Sequence, residues 1–181
     1  MIMNEIYTLK VAGLTRELKR YPINDKIDIA AFIMFSDVEL TVKCAEELIK
    51  KIPVFDIILT SEAKGIPLAY EMARQTGKPY VVARKSLKLY MTNSVCATVK
   101  SITTAKEQVL YLGDEKADML KGKSILIVDD VISTGESVIA MEQLIEKAGG
   151  NVCGRCAVLA EGNAADRDDI IFLEKLPLFF K

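Results

Sequence analysis

Two periods of apolar residues alternate along this chain. Ile125 to Val128 form an unbroken apolar run between Lys123 and Asp129. Such a run, with no polar alternation, predicts a strand in a sheet covered on both faces. Asp129 and Asp130 follow, then the small-residue loop Ser133-Thr-Gly-Glu-Ser137. Beyond the loop, Val138, Met141, Leu144, Ile145 and Ala148 recur at helical spacing until Gly149-Gly150 ends the run. Upstream, Phe55 to Thr60 predicts a strand, Ser61 to Pro67 a turn, and the residues from Pro67 to about Gln75 a helix. Tyr80 to Ala83 then completes a βαβ unit. Before it, Val38, Thr41, Val42, Ala45, Leu48 and Ile49 predict a helix capped by Asp37 and stopped by Pro53. Val152 to Ala160 and Ile170 to Leu173 predict two more strands. The pattern is that of an α/β protein, a central mostly parallel sheet flanked by helices.

Three stretches are less regular. Ile27, Ile29, Ala31, Ile33 and Phe35 alternate and predict a strand. Residues 1–35 as a whole fit either a small hood over a ligand or an edge without chemistry. From Leu89 to Leu112 the alternation predicts a two-stranded antiparallel excursion, with a mobile tip at Ser101 to Ala105. This is either a flexible lid or a permanently ordered hairpin. The apolar end, Leu176 to Phe180, covers the sheet or a subunit interface. No repeat or linker interrupts the 181 residues, so one domain is expected, with residues 1–52 as N-terminal hood and helix and residues 53–175 as core.

Composition narrows the chemistry. A net charge of −1 gives no electrostatic basis for nucleic-acid or membrane binding. Residues 1–7 lack the cationic start of a secretory signal, and no apolar run reaches the roughly 20 residues of a membrane span. A cytoplasmic protein is expected. The chain has no histidine, which removes Cys-His and Ser-His catalysis and histidine-ligated metals. Cys153 and Cys156 have the spacing of a redox or metal pair, but positions i and i+3 of a strand face opposite sides, so buried structural cysteines are expected.

The candidate chemistry lies at strand ends. Backbone N–H groups of residues 133–137 at a helix start, with hydroxyls beside them, make a phosphate cradle. Asp129 and Asp130 would repel a phosphate, so they call for sugar hydroxyls or a divalent cation. A phosphate and a diol side by side describe a ribose 5-phosphate. Lys64-Gly65 offers a cation and an unobstructed amide in the turn after a strand, and Arg84, Lys85 and Lys88 follow the next strand directly. Both positions are ligand edges of an open α/β sheet.

The run from Ser124 to Ser137 resembles the signature of the type I phosphoribosyltransferases, with Asp129, Asp130, Thr134, Gly135 and Ser137 at the family's spacing. The likeness covers about residues 53–175. Glu62-Ala63-Lys64-Gly65 is similar to the pyrophosphate loop of adenine phosphoribosyltransferases, where arginine usually stands in place of Lys64. Arg84, Lys85 and Lys88 resemble their RK-x-x-K segment. The resemblance implies the type I fold and transfer of a 5-phosphoribosyl group from phosphoribosyl diphosphate (PRPP) to a purine in salvage. It also implies Mg2+ bound mainly through PRPP, with no dedicated metal cage, and a homodimer. Asp129 and Asp130 would face the ribose, and Ser133, Thr134, Gly135, Glu136 and Ser137 would hold the 5-phosphate. Ala63, Lys64, Gly65, Arg84, Lys85 and Lys88 would hold pyrophosphate. Leu159, Glu161 and Phe32 would contact the base.

Two departures bear on the base. Lys100 to Ala105 looks more like the lid of xanthine enzymes, and Ala63 to Tyr70 is close to the purine repressors of Gram-positive bacteria, which sense PRPP without turnover. Such a regulator needs a DNA-binding domain, for which residues 1–52 leave no room and no basic stretch. Enzymes for 6-oxopurines commonly place a lysine after the strand that follows the central helix, whereas Leu159 to Asn163 contain none. Adenine is therefore expected ahead of the 6-oxopurines, and a purine ahead of a pyrimidine.

Overall fold

The computed structural model describes residues 5–91, 93–100 and 107–181. Its centre is a five-stranded sheet in the order β10 (Ile171–Leu176), β9 (Asn151–Glu161), β8 (Ser124–Ile132), β4 (Ile57–Ser61), β5 (Tyr80–Ala83). All four strand pairings are parallel. The unbroken apolar run accounts for the position of β8. Leu126 and Val128 enter one core cluster, and Ile125 and Ile127 enter the other, on opposite faces of the sheet. Both faces are covered, as a parallel sheet requires.

Helices α1 (Val38–Ile49) and α2 (Ile66–Thr76) bring Leu40, Cys44, Leu48, Leu68 and Met72 to the first cluster. Asp37 caps α1 as expected, accepting from the Leu40 N–H at 3.0 Å. Arg16 grips the same carboxylate from β2, Nε to Oδ2 at 2.7 Å and Nη2 to Oδ1 at 3.1 Å, which holds Asp37 below the usual carboxylate range. Gly77 ends α2 with φ +67°, a left-handed cap that glycine adopts without a steric penalty. On the opposite face lie α4 (Glu136–Lys147) and α3 (Asp114–Leu120). Sequence periodicity misses α3, because seven residues show only one buried turn, Ala117 and Leu120.

The expected antiparallel excursion is β6 (Ser94–Lys100) paired with β7 (Glu107–Gly113). It is tied to the body by reciprocal backbone bonds between Arg84 and Tyr111 (2.9 and 2.8 Å) and by Lys147 Nζ donating to the Cys96 carbonyl (2.7 Å). Its expected tip, residues 101–105, lies outside the described residues.

The irregular N-terminal region forms three strands, β1 (Ile6–Val11), β2 (Leu14–Pro22) and β3 (Ile27–Ala30). The alternating strand expected from Lys26 to Phe35 thus stops at Ala30. Beyond the Ala31 N–H, which still bonds the Lys19 carbonyl at 2.9 Å, the chain leaves the sheet and runs toward the ends of the central strands. The apolar C-terminus becomes β11 (Leu178–Phe180), paired antiparallel with β3, so the hood is a four-stranded sheet built from both ends of the chain. Phe179 joins the ends: its ring meets Tyr7 edge-on at 5.5 Å and lies under the Arg20 guanidinium at 4.0 Å. Arg20 also pairs with Asp28 (3.3 Å) and Glu5, and Lys181 reaches Asp28 at 2.8 Å.

The cysteine expectation needs one correction. A register shift opposite Ile125 and Leu126 leaves Cys153 as an extra residue in β9. Past this bulge the alternation resets, so Cys153 and Cys156 pack against the same cluster rather than on opposite faces. Both remain free thiols pushed up by burial.

Phe179→Ala should loosen the hood without touching the central sheet. Truncating a half-buried aromatic costs about 2 kcal/mol, so the thermal midpoint should fall by roughly 4–8 °C. Thermal unfolding checks this, and a fall under about 1 °C would show that the ring does not hold the two chain ends together.

Candidate active site

β4 and β8 are adjacent, but the chain leaves β4 toward β5 and leaves β8 toward β9 on the other side. This reversal of direction opens a crevice at the carboxyl ends of the two strands, the usual ligand position in open α/β sheets. The turn after β4 (residues 62–65, with a cis Glu62–Ala63 peptide) and the loop after β8 (residues 133–137) both emerge there.

Gly65 is where the first packs against the ends of both strands. A Cβ built on it would fall 2.4 Å from Thr60 Oγ1, 3.0 Å from Asp129 Oδ1 and 3.2 Å from Asp129 Cα. No side chain fits, so glycine is required by close approach rather than by its φ. Asp129 and Asp130 are 9% and 5% exposed. Asp129 Oδ1 accepts from the Asp130 N–H at 2.9 Å. Thr60 Oγ1 and Asp130 Oδ2 are buried without a hydrogen-bond partner. Orphaned acceptors of this kind are uncommon and mark groups awaiting a ligand, water or ion.

Burial raises the Asp129 carboxyl well above its ordinary range, and repulsion from Asp130 adds to this, while Lys85 opposes it. Asp130 is raised by burial against the pull of Lys64. Glu161, half-buried at the end of β9, is likewise raised by burial and held back by Lys64. Lys64 and Lys85 are therefore the cations whose charge reaches the buried carboxylates.

Two cavities flank the pair. One, of about 40 Å³, is enclosed by Asp129 and residues 131–138 and includes Ser133, Thr134, Gly135, Glu136 and Ser137. Gly135 stands at φ +80° as the N-cap of α4, so the loop turns its backbone amides toward the helix axis. The other, of about 290 Å³, lies between the hood and β8 and brings together Phe32, Lys64, Asp130, Ser133 and Glu161. Phe32 is buried in its wall, and Ile29, Ile33 and Val131 add apolar surface. The hood strand β3 is thus both an ordered strand and, through the segment after it, a wall of this cavity.

Other expected contacts fall elsewhere. Leu159 is fully buried in the core cluster and does not line the cavity, because β9 turns that side chain inward; the purine-stacking role expected of it has no exposed surface to act through. Arg84 Nε sits 3.0 Å from Glu62 Oε1, and the Lys85 N–H donates to Glu62 Oε2 at 2.8 Å, so Glu62 braces the start of the cationic segment. Lys88 Nζ donates to Ser86 Oγ at 2.9 Å. Ala63 is exposed in the turn, its carbonyl accepting from the Ile66 N–H at 3.3 Å. Val131 was not expected; it lines the cavity beside Asp130 and packs against the cluster of Leu126 and Val128.

Among the described residues no three His, Cys, Asp or Glu side chains converge on a metal position. The orphaned Asp130 oxygen beside Asp129 fits a cation whose other ligands come with the substrate, so magnesium could be held by PRPP oxygens with these two carboxylates alongside.

A parallel α/β sheet with paired buried acids and a glycine-bearing loop at its reversal point is the architecture of the phosphoribosyltransferase class. The chain belongs to that family of transferases: the phosphoribosyl transferase domain matches residues 39–175. A hypoxanthine/guanine phosphoribosyltransferase of Methanococcus voltae is 31% identical over 148 residues, 81% of this chain and 72% of that one. An adenine phosphoribosyltransferase of Pseudothermotoga lettingae is 38% identical over 103 residues, 56% of this chain and 57% of that one. The crystal structure of adenine phosphoribosyltransferase from Thermoanaerobacter pseudethanolicus shares the fold with a TM-score of 0.71 at 24% identity, over 87% of this chain and 95% of that one. The matched stretches span 57% to 72% of the first curated relatives.

The buried acids make stability depend on pH with a defined sign. Near pH 2.5, more than a unit below the ordinary aspartate value of about 3.9, the carboxyls are almost wholly neutral in folded and unfolded chains alike, and burial carries no ionisation penalty. As pH rises, the unfolded chain ionises first and the folded chain resists, so stability falls until the folded pair has also ionised. Asp129→Asn should remove most of this fall. The variant's thermal midpoint should match wild type at about pH 2.5 and exceed it at pH 8 by roughly 3 °C or more, since each pH unit of displaced titration is worth about 1.4 kcal/mol. A variant less stable than wild type at pH 8 would contradict the assigned burial penalty.

Proposed function

We propose that this protein transfers a 5-phosphoribosyl group from PRPP to a purine nitrogen, adenine ahead of the 6-oxopurines, and releases pyrophosphate. The observation that carries this reading is the larger cavity, which puts an apolar wall of purine size directly beside Asp130, Lys64 and the phosphate loop. In this reading the 5-phosphate occupies the cradle of residues 133–137. The ribose lies over Asp129 and Asp130, and the base lies between Phe32 and Val131. Ionised Asp129 and Asp130 favour the positive charge that develops on the ribose as its bond to pyrophosphate breaks, while Lys64, Lys85 and magnesium stabilise the departing anion. Binding of the cationic metal and the sugar hydroxyls offsets the burial that raises both carboxyls without ligand.

Adenine is favoured by the polar end of the cavity. As a carboxylate, Glu161 accepts from an exocyclic amino group and repels an exocyclic carbonyl oxygen. Lys175, the first lysine after β9, is turned to Asp166 with Nζ 3.4 Å from Oδ1 and does not line the cavity. A mismatched buried acceptor costs about 1–3 kcal/mol, enough for roughly tenfold discrimination. Transfer to a 6-oxopurine is the second reading, favoured by the similarity to the Methanococcus voltae enzyme.

A pyrophosphate-release assay with PRPP, magnesium and adenine, hypoxanthine, guanine, xanthine or uracil tests both. Turnover is expected with adenine, at a kcat/KM at least comparable to the best 6-oxopurine. A tenfold preference for any 6-oxopurine would replace adenine, and PRPP binding without release for any base would make the protein a sensor. Asp129→Asn and Asp130→Asn should each lower kcat by roughly 10-fold or more with the fold retained. Full activity in the double variant would exclude the proposed roles.

A homodimer belongs to the same proposal. Leu87, Leu89 and Tyr90 are largely exposed next to the Arg84–Lys88 cations, an apolar strip that a second copy would cover while placing those cations near its neighbour's site. Sedimentation at micromolar concentration should show a dimer, and Leu89→Glu should dissociate it. A monomeric wild-type protein would end the idea.

A further inference from the structure

Arg167 ends the short 3-10 helix (Gly162–Asp166) that follows β9, its N–H bonding the Ala164 carbonyl at 3.3 Å. Asp169 grips one edge of its guanidinium, accepting from Nε at 2.8 Å and from Nη2 at 2.7 Å. The other nitrogen, Nη1, faces the phosphate loop: a Cβ built on Gly135 would lie 3.0 Å from it. The support continues behind Asp169. Arg155 Nε lies 3.8 Å from that carboxylate and also pairs with Glu142 on α4. A chain of ion pairs therefore runs from α4 through β9 to Arg167 and returns the cation to the loop that begins α4.

The N-terminus of a helix carries partial positive charge, and Asp169 is the anion that holds a guanidinium beside it. A two-pronged carboxylate contact fixes the guanidinium plane and makes it a directed donor rather than a wandering charge. The bare Gly135 is what lets it close on the loop, since any side chain there would meet it.

We propose that Arg167 is a positioning residue for the 5-phosphate end of the donor. It closes the Gly135 side of the loop and adds a fixed positive charge to the cradle of backbone amides, and Asp169 sets its orientation. The ligand chemistry is a phosphate monoester dianion. This inference rests on residues 133–137 being the phosphate loop.

Calorimetric titration with ribose 5-phosphate, which lacks the pyrophosphate, isolates this end of the site. Arg167→Gln should weaken ribose 5-phosphate binding and raise the KM for PRPP by about tenfold, the scale of one charge-assisted contact. The KM for the purine and the thermal midpoint should change little. Arg167→Lys should recover part of the loss, because the charge remains while the fork to Asp169 is gone. Equal ribose 5-phosphate binding by wild type and Arg167→Gln overturns the role of Arg167 and leaves the phosphate loop standing. No ribose 5-phosphate binding by wild type overturns both. A parallel loss of thermal midpoint, kcat and both KM values would show a purely structural residue and also overturn the proposal.

Discussion

The contact between Gly65 and Asp129 is the constraint on which the rest of the site depends. The turn that holds Gly65 is pressed so close to the ends of two adjacent parallel strands that no side chain fits between them. Burial at these strand ends makes the carboxyls of Asp129 and Asp130 resist ionisation. A site built this way is under electrostatic stress without ligand, and partners that can accept or neutralise the pair relieve it. Hydroxyls and a substrate-borne cation are such partners, which is why burial serves binding here at some expense to stability.

The hood turns that pair into a selective site. The central sheet alone would leave Asp130 and Glu161 facing solvent on one side. The segment after β3 supplies Phe32 and Ile33 as the opposite wall, and β3 keeps its place because β11 pairs with it from the far end of the chain. Arg20 stacked on Phe179 and paired with Asp28 joins the N-terminal hairpin to the last strand. The cavity wall beside Asp130 is therefore coupled to residues far from it in sequence.

Charge is distributed in layers around the crevice. Lys64 and Lys85 reach the buried acids directly, whereas Arg84 is braced by Glu62 and Lys88 by Ser86 at the outer edge. Farther round, Glu142, Arg155, Asp169 and Arg167 carry ion pairs from α4 to the loop of residues 133–137. Exposed pairs of this kind contribute little to stability. Their value lies in orientation: each fixes the direction of a cation that would otherwise be a mobile surface side chain.

The sequence by itself determined the parts that depend on local pattern. An apolar run buried on both faces marked β8, helical stripes marked α1 and α4, Pro67 marked the start of α2, and the spacing of Asp129, Asp130, Thr134, Gly135 and Ser137 marked the family. Those features are legible because strand and helix periods, and a loop that wraps one phosphate, are written within a few neighbouring residues. The tertiary structure alone decided what depends on distant segments. Periodicity could not show that Leu159 turns inward, that the bulge at Cys153 resets the faces of β9, or that Leu178–Phe180 completes the hood. Nor could it place Phe32 and Val131 across one cavity, or Arg167 against Gly135. In each case the outcome is set by which strand lies alongside and which side chain fills the remaining space, and these are properties of packing between residues that the linear pattern keeps far apart.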